Sequence, residues 1–121
     1  DRFKNVLEEC GITGWESYPI ALFDKKGNPV NGYNGFSITG RAGKMQKYDQ
    51  LPLECGYSAD ADGYYFDVET WDGSDLFITE GSWHIIANER FIKVLVDNKI
   101  TACNYCRLTD YGDCRKTKRI L

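Results

Sequence analysis

An α+β fold with a mixed or antiparallel sheet is expected from three features of this 121-residue chain. A helix-turn-strand pattern occurs twice, hairpin punctuation lies between the two copies, and no regular strand-helix alternation is present. The repeat is Arg2-Phe3-x-x-Val6-Leu7-x-Glu9-x-x-Ile12-Thr13, which returns 88 residues later as Arg90-Phe91-x-x-Val94-Leu95-x-Asp97-x-x-Ile100-Thr101, with six of twelve positions identical. Phe, Val and Leu at i, i+3 and i+4 put one apolar stripe on a helix, and Ile-Thr then opens an extended segment.

Taken in order, the first copy predicts a helix, a tight turn and an extended run from Trp15 to Phe23. The polar sequence Asp24-Lys25-Lys26-Gly27-Asn28-Pro29 predicts a turn, and Val30–Tyr33 and Phe36–Thr39 complete a hairpin or meander. Trp15 and Phe36 read as core or half-buried strand positions. The Gly-rich passage from Gly40 to Gly63 predicts loops. Tyr64 to Trp71 alternates as a strand, with Tyr65, Asp67, Glu69 and Trp71 on one face. Trp71-Asp72-Gly73-Ser74-Asp75 predicts a turn, and His84 to Ala87 a strand leading into the second helix. Asn88 is placed to cap that helix, with Glu89 favourable at its positive end, and a strand is predicted over Ile100–Leu108.

The length suits one domain over residues 1–121, with a basic, flexible tail over residues 109–121. The chain starts at Asp1 in what reads as the first turn of a helix, without Met, so an upstream part is expected. Hydrophobic content of 42% and aromatic content of 14% predict a packed core, while a mean hydropathy of −0.48 predicts no membrane span. Five cysteines without framework spacing, and no signal peptide or glycosylation sequon, place the protein in a reducing cytoplasm.

Charge is the most informative functional signal. Between Tyr48 and Glu89 lie ten acidic side chains and no Lys or Arg, interleaved with Tyr57, Tyr64, Tyr65, Phe66, Trp71, Phe77 and Trp83. A face built from this stretch combines a negative field with stacking area, which suits a basic protein partner and argues against nucleic acid. The alternative is a solvated acidic surface that aids solubility.

Five further groups invite a chemical reading. Asp67 and Glu69 on one strand face, roughly 7 Å apart by strand rise, would suit a divalent metal in a hydrolytic or accessory domain, the alternative function. Asp60-Ala61-Asp62-Gly63 has part of a calcium loop, but its glycine falls early and no closing Glu follows. Cys103-Asn104-Tyr105-Cys106 has the spacing of half a zinc site, yet thiols three apart on a strand point to opposite faces. His84 is the single histidine and reads as a sheet residue beside an aromatic, and Gly35 to Lys44 lacks the Lys-Ser/Thr of a phosphate loop. No cofactor, metal or catalytic residue is expected from these groups.

Three passages together resemble a group of bacterial immunity proteins of polymorphic-toxin systems, related to those with a double CxxCG motif. They are Arg2-Phe3-x-x-Val6-Leu7 with Ile12-Thr13-Gly14-Trp15, then Gly35-Phe36-Ser37-Ile38-Thr39-Gly40-Arg41, and Tyr65-Phe66-Asp67-x-x-Thr70-Trp71-Asp72-Gly73-Ser74-Asp75-x-Phe77 leading to Glu89-Arg90-Phe91. The likeness reaches to about Leu108 and is to the C-terminal portion of such proteins. Ala42 stands where many relatives have Cys, and the paired CxxC motifs are absent, so no zinc role carries over. The resemblance implies a non-enzymatic, cytoplasmic protein that binds and neutralises a cognate toxin, such as a nuclease, with no role for nucleic acid or membrane. On the charge pattern, the expected contact residues are Asp60, Asp62, Asp67, Glu69, Trp71, Asp72, Asp75, Glu80 and Trp83. The Trp-Asp-Gly-Ser-Asp motif has a second reading, as a structural turn.

Overall fold

A computed structural model describes residues 2–47, 64–101, 103–108 and 118–120, and shows an α+β fold. Helix α1 (Arg2–Glu9) leads into strand β1 (Trp15–Pro19), β2 (Leu22–Phe23), β3 (Pro29–Val30) and β4 (Asn34–Ile38). Then come β5 (Arg41–Ala42), β6 (Gln46–Lys47), β7 (Tyr64–Tyr65), a 3-10 helix (Val68–Thr70), β8 (Leu76–Thr79) and β9 (Ile85–Ala87). Helix α2 (Glu89–Asp97), β10 (Cys103–Tyr105) and β11 (Lys118–Ile120) complete the described elements.

The strands form small sheets. β1 pairs antiparallel with β4, β2 with β3, β6 with β7 and β10 with β11. The one three-stranded sheet among the described residues has the order β5-β8-β9, with β5 parallel and β9 antiparallel to β8. Successive residues of β8 face opposite ways, and both faces are covered. Leu76 joins Leu7, Ile12, Ile38, Phe91 and Leu95 in the main core, under the two helices. Phe77 instead meets the rings of Phe66 and Trp71, at centroid separations of 5.3 and 5.5 Å.

The sequence repeat is a repeat in space. Each helix ends in the same backbone motif, in which the residue after a left-handed position bonds back to the carbonyl five residues earlier. Ile12 N–H donates to Leu7 O (3.0 Å) and Gly11 N–H to Glu8 O (3.2 Å); 88 residues on, Ile100 donates to Leu95 O (2.9 Å) and Lys99 to Val96 O (3.1 Å). The helices also cap each other. The Arg2 guanidinium donates to Asn98 O, and the Arg90 guanidinium donates to Cys10 O, positions that correspond under the repeat. Such reciprocity is what a local two-fold relation between the two units produces, and the fully buried Leu7 and Leu95 sit in the core between them.

The left-handed position differs between the copies. Gly11 takes φ 64° freely, whereas Lys99 holds φ 53° with a side chain. Lys99→Gly is therefore expected to raise stability by about 0.5–1 kcal/mol. Urea unfolding checks this, through a higher midpoint with an unchanged slope.

Several boundaries differ from expectation. Tyr64–Trp71 is not one strand: after β7 the Asp67 carboxylate accepts from Glu69 N–H (3.0 Å) and the Thr70 hydroxyl donates to Asp67 O (2.5 Å). These local bonds satisfy the backbone inside a tight turn and compete successfully with a strand ladder. Val30–Tyr33 reduces to β3, β4 starts at Asn34 rather than Phe36, the lead into α2 starts at Ile85 rather than His84, and Ile100–Leu108 reduces to β10. Residues 48–63, for which loops were expected, Asp1 and most of the basic tail lie outside the described residues. The capping expectation holds: Asn88 Oδ1 accepts from Phe91 N–H at 3.0 Å.

Candidate partner-binding face

The Trp-Asp-Gly-Ser-Asp segment folds into a knot that ties three distant parts of the chain together. Asp75 is 5% exposed. One carboxylate oxygen accepts from Thr13 N–H (2.9 Å) and Arg90 Nη1 (2.6 Å), and the other from Asn88 Nδ2 (2.6 Å). Its backbone N–H donates to the Thr13 hydroxyl (3.1 Å), and its carbonyl accepts from Asn88 N–H (3.0 Å). Asp72 accepts from Arg41 N–H (2.9 Å) and from the backbone and hydroxyl of Ser74, while Trp71 Nε1 donates to Ser74 O (3.0 Å). Burial pushes both carboxyl groups up. For Asp75 the bonds from Asn88 and Thr13 and the Arg90 charge outweigh this, and for Asp72 the bonds from Ser74 and Arg41 do, so both titrate below the usual carboxylate value.

Glycines close the knot. Gly14 (φ 90°) and Gly40 pass so near that a Cβ on either would overlap the Leu76 carbonyl oxygen, with Ser74 also in the way. Thr13 O accepts from Leu76 N–H and Gly40 O from Ile78 N–H, both at 3.1 Å. Ile-Thr-Gly-Trp, Thr-Gly-Arg, Asp-Gly-Ser-Asp and Asn-Glu-Arg-Phe are thus parts of one internal structure. Asp75, expected as a contact residue, is a buried scaffold residue, because a long-range partner, Arg90, and two capping donors draw it inward. Trp71 is half-buried against Phe77 and serves mainly the same scaffold.

The remaining candidates divide by exposure. Asp67, Glu69, Asp72 and Glu80 are exposed, and none of them is in an ion pair among the described residues. Trp83 is 93% exposed on the β8–β9 turn, beside Ile85 at 58%. β5 brings the 3-10 turn and Glu80 to one end, where Gly43 N–H donates to the Thr70 hydroxyl (2.8 Å) and Glu80 N–H to Ala42 O (3.1 Å). Asp60, Asp62 and the calcium-like sequence lie outside the described residues.

The 3-10 turn removes the strand face on which Asp67 and Glu69 were expected to pair for a metal, since Asp67 is spent as a cap. Among the described residues no group of three or more His, Cys, Asp and Glu side chains is placed to hold a metal ion. Cys10, Cys103 and Cys106 are half-buried free thiols. Gly40, part of the glycine-rich passage, abuts β8 rather than opening a helix, so that passage is no phosphate loop. His84 is exposed, its N–H donating to the Ser82 hydroxyl at 3.1 Å.

The hairpin from Trp15 to Ile38 was expected from the sequence, but its exposure was not: every residue from 18 to 33 is exposed. The signal was present as a run of large apolar residues around Lys25-Lys26, but it reads equally as core. No family model matches the chain, and neither does any curated protein or solved structure. No helix of the described residues is long and apolar enough to cross a membrane.

Proposed function

We propose that the chain is an immunity protein of a bacterial toxin system, which binds and neutralises its cognate toxin in the cytoplasm by contact and not by catalysis. The observation that carries this reading is a set of carboxylates, Asp67, Glu69 and Glu80, exposed and outside any described ion pair, on the elements that flank β5, together with the exposed indole of Trp83 on the β8–β9 turn. Unpaired carboxylates raise the local concentration of a basic partner, and an exposed indole supplies the large, rigid anchor that interface centres favour. A nuclease-type toxin presents a basic cleft for phosphates, and such a face is its electrostatic complement. Asp72 adds charge to the rim, although its oxygens also hold the Arg41 and Ser74 backbone.

The test is co-expression with the toxin domain encoded beside this gene, followed by association kinetics. Growth should be restored by the chain. The double variant Glu69→Lys, Glu80→Lys should slow association roughly tenfold at low salt and flatten its salt dependence. Its melting temperature should stay near that of the parent, since neither carboxylate is bonded among the described residues. Failure to restore growth, or an on-rate indifferent to the reversal, refutes the reading.

A further inference from the structure

The hairpin of β1 to β4 is an arm. Its pairing runs from Trp15↔Ile38 to Pro19↔Asn34, and resumes at Leu22↔Val30 and Phe23↔Pro29. Two residues of one strand thus oppose three of the other, a bulge that includes Gly32 at φ 90°. From Tyr18 to Phe23 the arm extends roughly 17 Å at strand rise. Within it Tyr18, Ile20, Leu22, Phe23, Val30 and Tyr33 are 38–63% exposed. A two-stranded hairpin without a covered face is marginal in water, and an apolar surface of this extent marks a contact.

The tip defines the polarity of what covers it. The Asp24 carboxylate accepts from Lys26 N–H (2.8 Å), Asn28 N–H (2.9 Å) and Asn28 Nδ2 (3.1 Å), so it is committed to the turn. Lys25 and Lys26 are exposed and in no described ion pair, which leaves the arm apolar along its length and cationic at its end. Its complement therefore combines exposed apolar side chains with free carboxylates. This chain carries both kinds of group on the 3-10 turn that flanks β5 and on the β8–β9 hairpin: exposed Val68 (65%), Trp83 and Ile85, and the carboxylates of Glu69 and Glu80, with Asp67 adding charge although it caps the 3-10 turn. Among the described residues of one copy, none covers either surface.

We propose that the arm docks on the Val68–Trp83 face of a second copy of this chain, with Lys25 and Lys26 against Asp67, Glu69 and Glu80. Exchanged both ways, the contact is self-complementary and closes as a two-fold dimer. It uses arm and face on each copy, toward the roughly 800 Å² per partner of a stable interface. The inference does not depend on the inhibitor reading. If both hold, the dimer contact covers the carboxylates that the toxin uses, and the two associations compete.

Sedimentation velocity of the full chain at low salt, over a range of concentrations, tests it. The parent should form dimers that weaken as salt rises. Lys25→Glu, Lys26→Glu and, separately, Glu69→Lys, Glu80→Lys should each weaken dimerisation by roughly tenfold or more, through like charges across the contact. An equimolar mixture of the two variants should recover parental association, because every arm then meets a face of opposite charge. Phe23→Ser, which leaves all charges in place, should also weaken the dimer. A parent that stays monomeric at low salt, dimers indifferent to both reversals, or a mixture no stronger than its components overturns the proposal.

Discussion

Asp75→Ala is expected to unfold the protein at a melting temperature lower by roughly 10 °C, a loss of about 3 kcal/mol. The substitution removes an acceptor shared by Thr13 N–H, Asn88 Nδ2 and Arg90 Nη1 in a site where the carboxylate side chain is 7% exposed. Thr13 and Asn88 are then left with part-buried donors and no protein acceptor, and the Arg90 bridge between α2 and the end of α1 loses its anchor. The same residue sets part of the acid limb of stability. Its pKa is lower in the fold than in the unfolded chain, so the folded state binds fewer protons and stability rises with pH. That contribution is complete above the unfolded value of about 3.9 and is lost as pH falls through the lower folded value. Asp75→Asn keeps the shape and removes this titration. Chemical denaturation between neutral pH and pH about 3 should therefore show a shallower decline for Asp75→Asn than for the parent.

Gly14→Ala and Gly40→Ala are expected to cost about 2–4 kcal/mol each, more than typical surface changes. Each new Cβ would overlap the backbone carbonyl of Leu76, an atom held in the central strand of the sheet, so the main chain itself must move. Gly14 adds the strain of a side chain at φ 90°. Gly73→Ala separates the two causes: φ there is 83°, but nothing lies within 4 Å of the added carbon. That variant should lose only about 1 kcal/mol, the conformational part alone. Equal losses at Gly14 and Gly73 in urea titrations would mean that the close approach to Leu76 carries no weight.

The sequence exposed the scaffold better than the surface, for physical reasons. The paired helix-turn-strand units were legible because an apolar stripe at i, i+3 and i+4 followed by Ile-Thr is local information. The Asn88 cap was legible for the same reason. The strand over Tyr64–Trp71 was misread because alternation cannot reveal that Asp67 and Thr70 bond to their own backbone. The acidic stretch was read as one surface, yet its members part company in space. Asp75 goes inside because it meets an arginine fifteen residues away, whereas Glu69 and Glu80 meet no cation among the described residues. Trp83 was placed correctly on the outside, but Trp71 was not distinguishable from it, since what draws Trp71 inward is Phe77 and the Ser74 carbonyl. The arm was hidden by the same ambiguity: apolar residues in a hairpin predict a buried face, whether that face belongs to the chain itself or to another molecule.

The mutual capping of α1 and α2 also sets the order of events during synthesis. The core around Leu7 is completed by Phe91 and Leu95, and the Arg2 and Arg90 contacts join residues 96 and 80 positions apart. An emerging chain therefore carries its first helix without its partner helix until nearly a hundred residues have left the ribosome, which takes about 5–20 s at ordinary elongation rates. Until then the apolar stripe of α1 is only partly covered, by β4 and then β8. Closing so long a loop is slow relative to forming either helix, so the nascent chain, more than the finished one, is the form most exposed to chaperones and proteases.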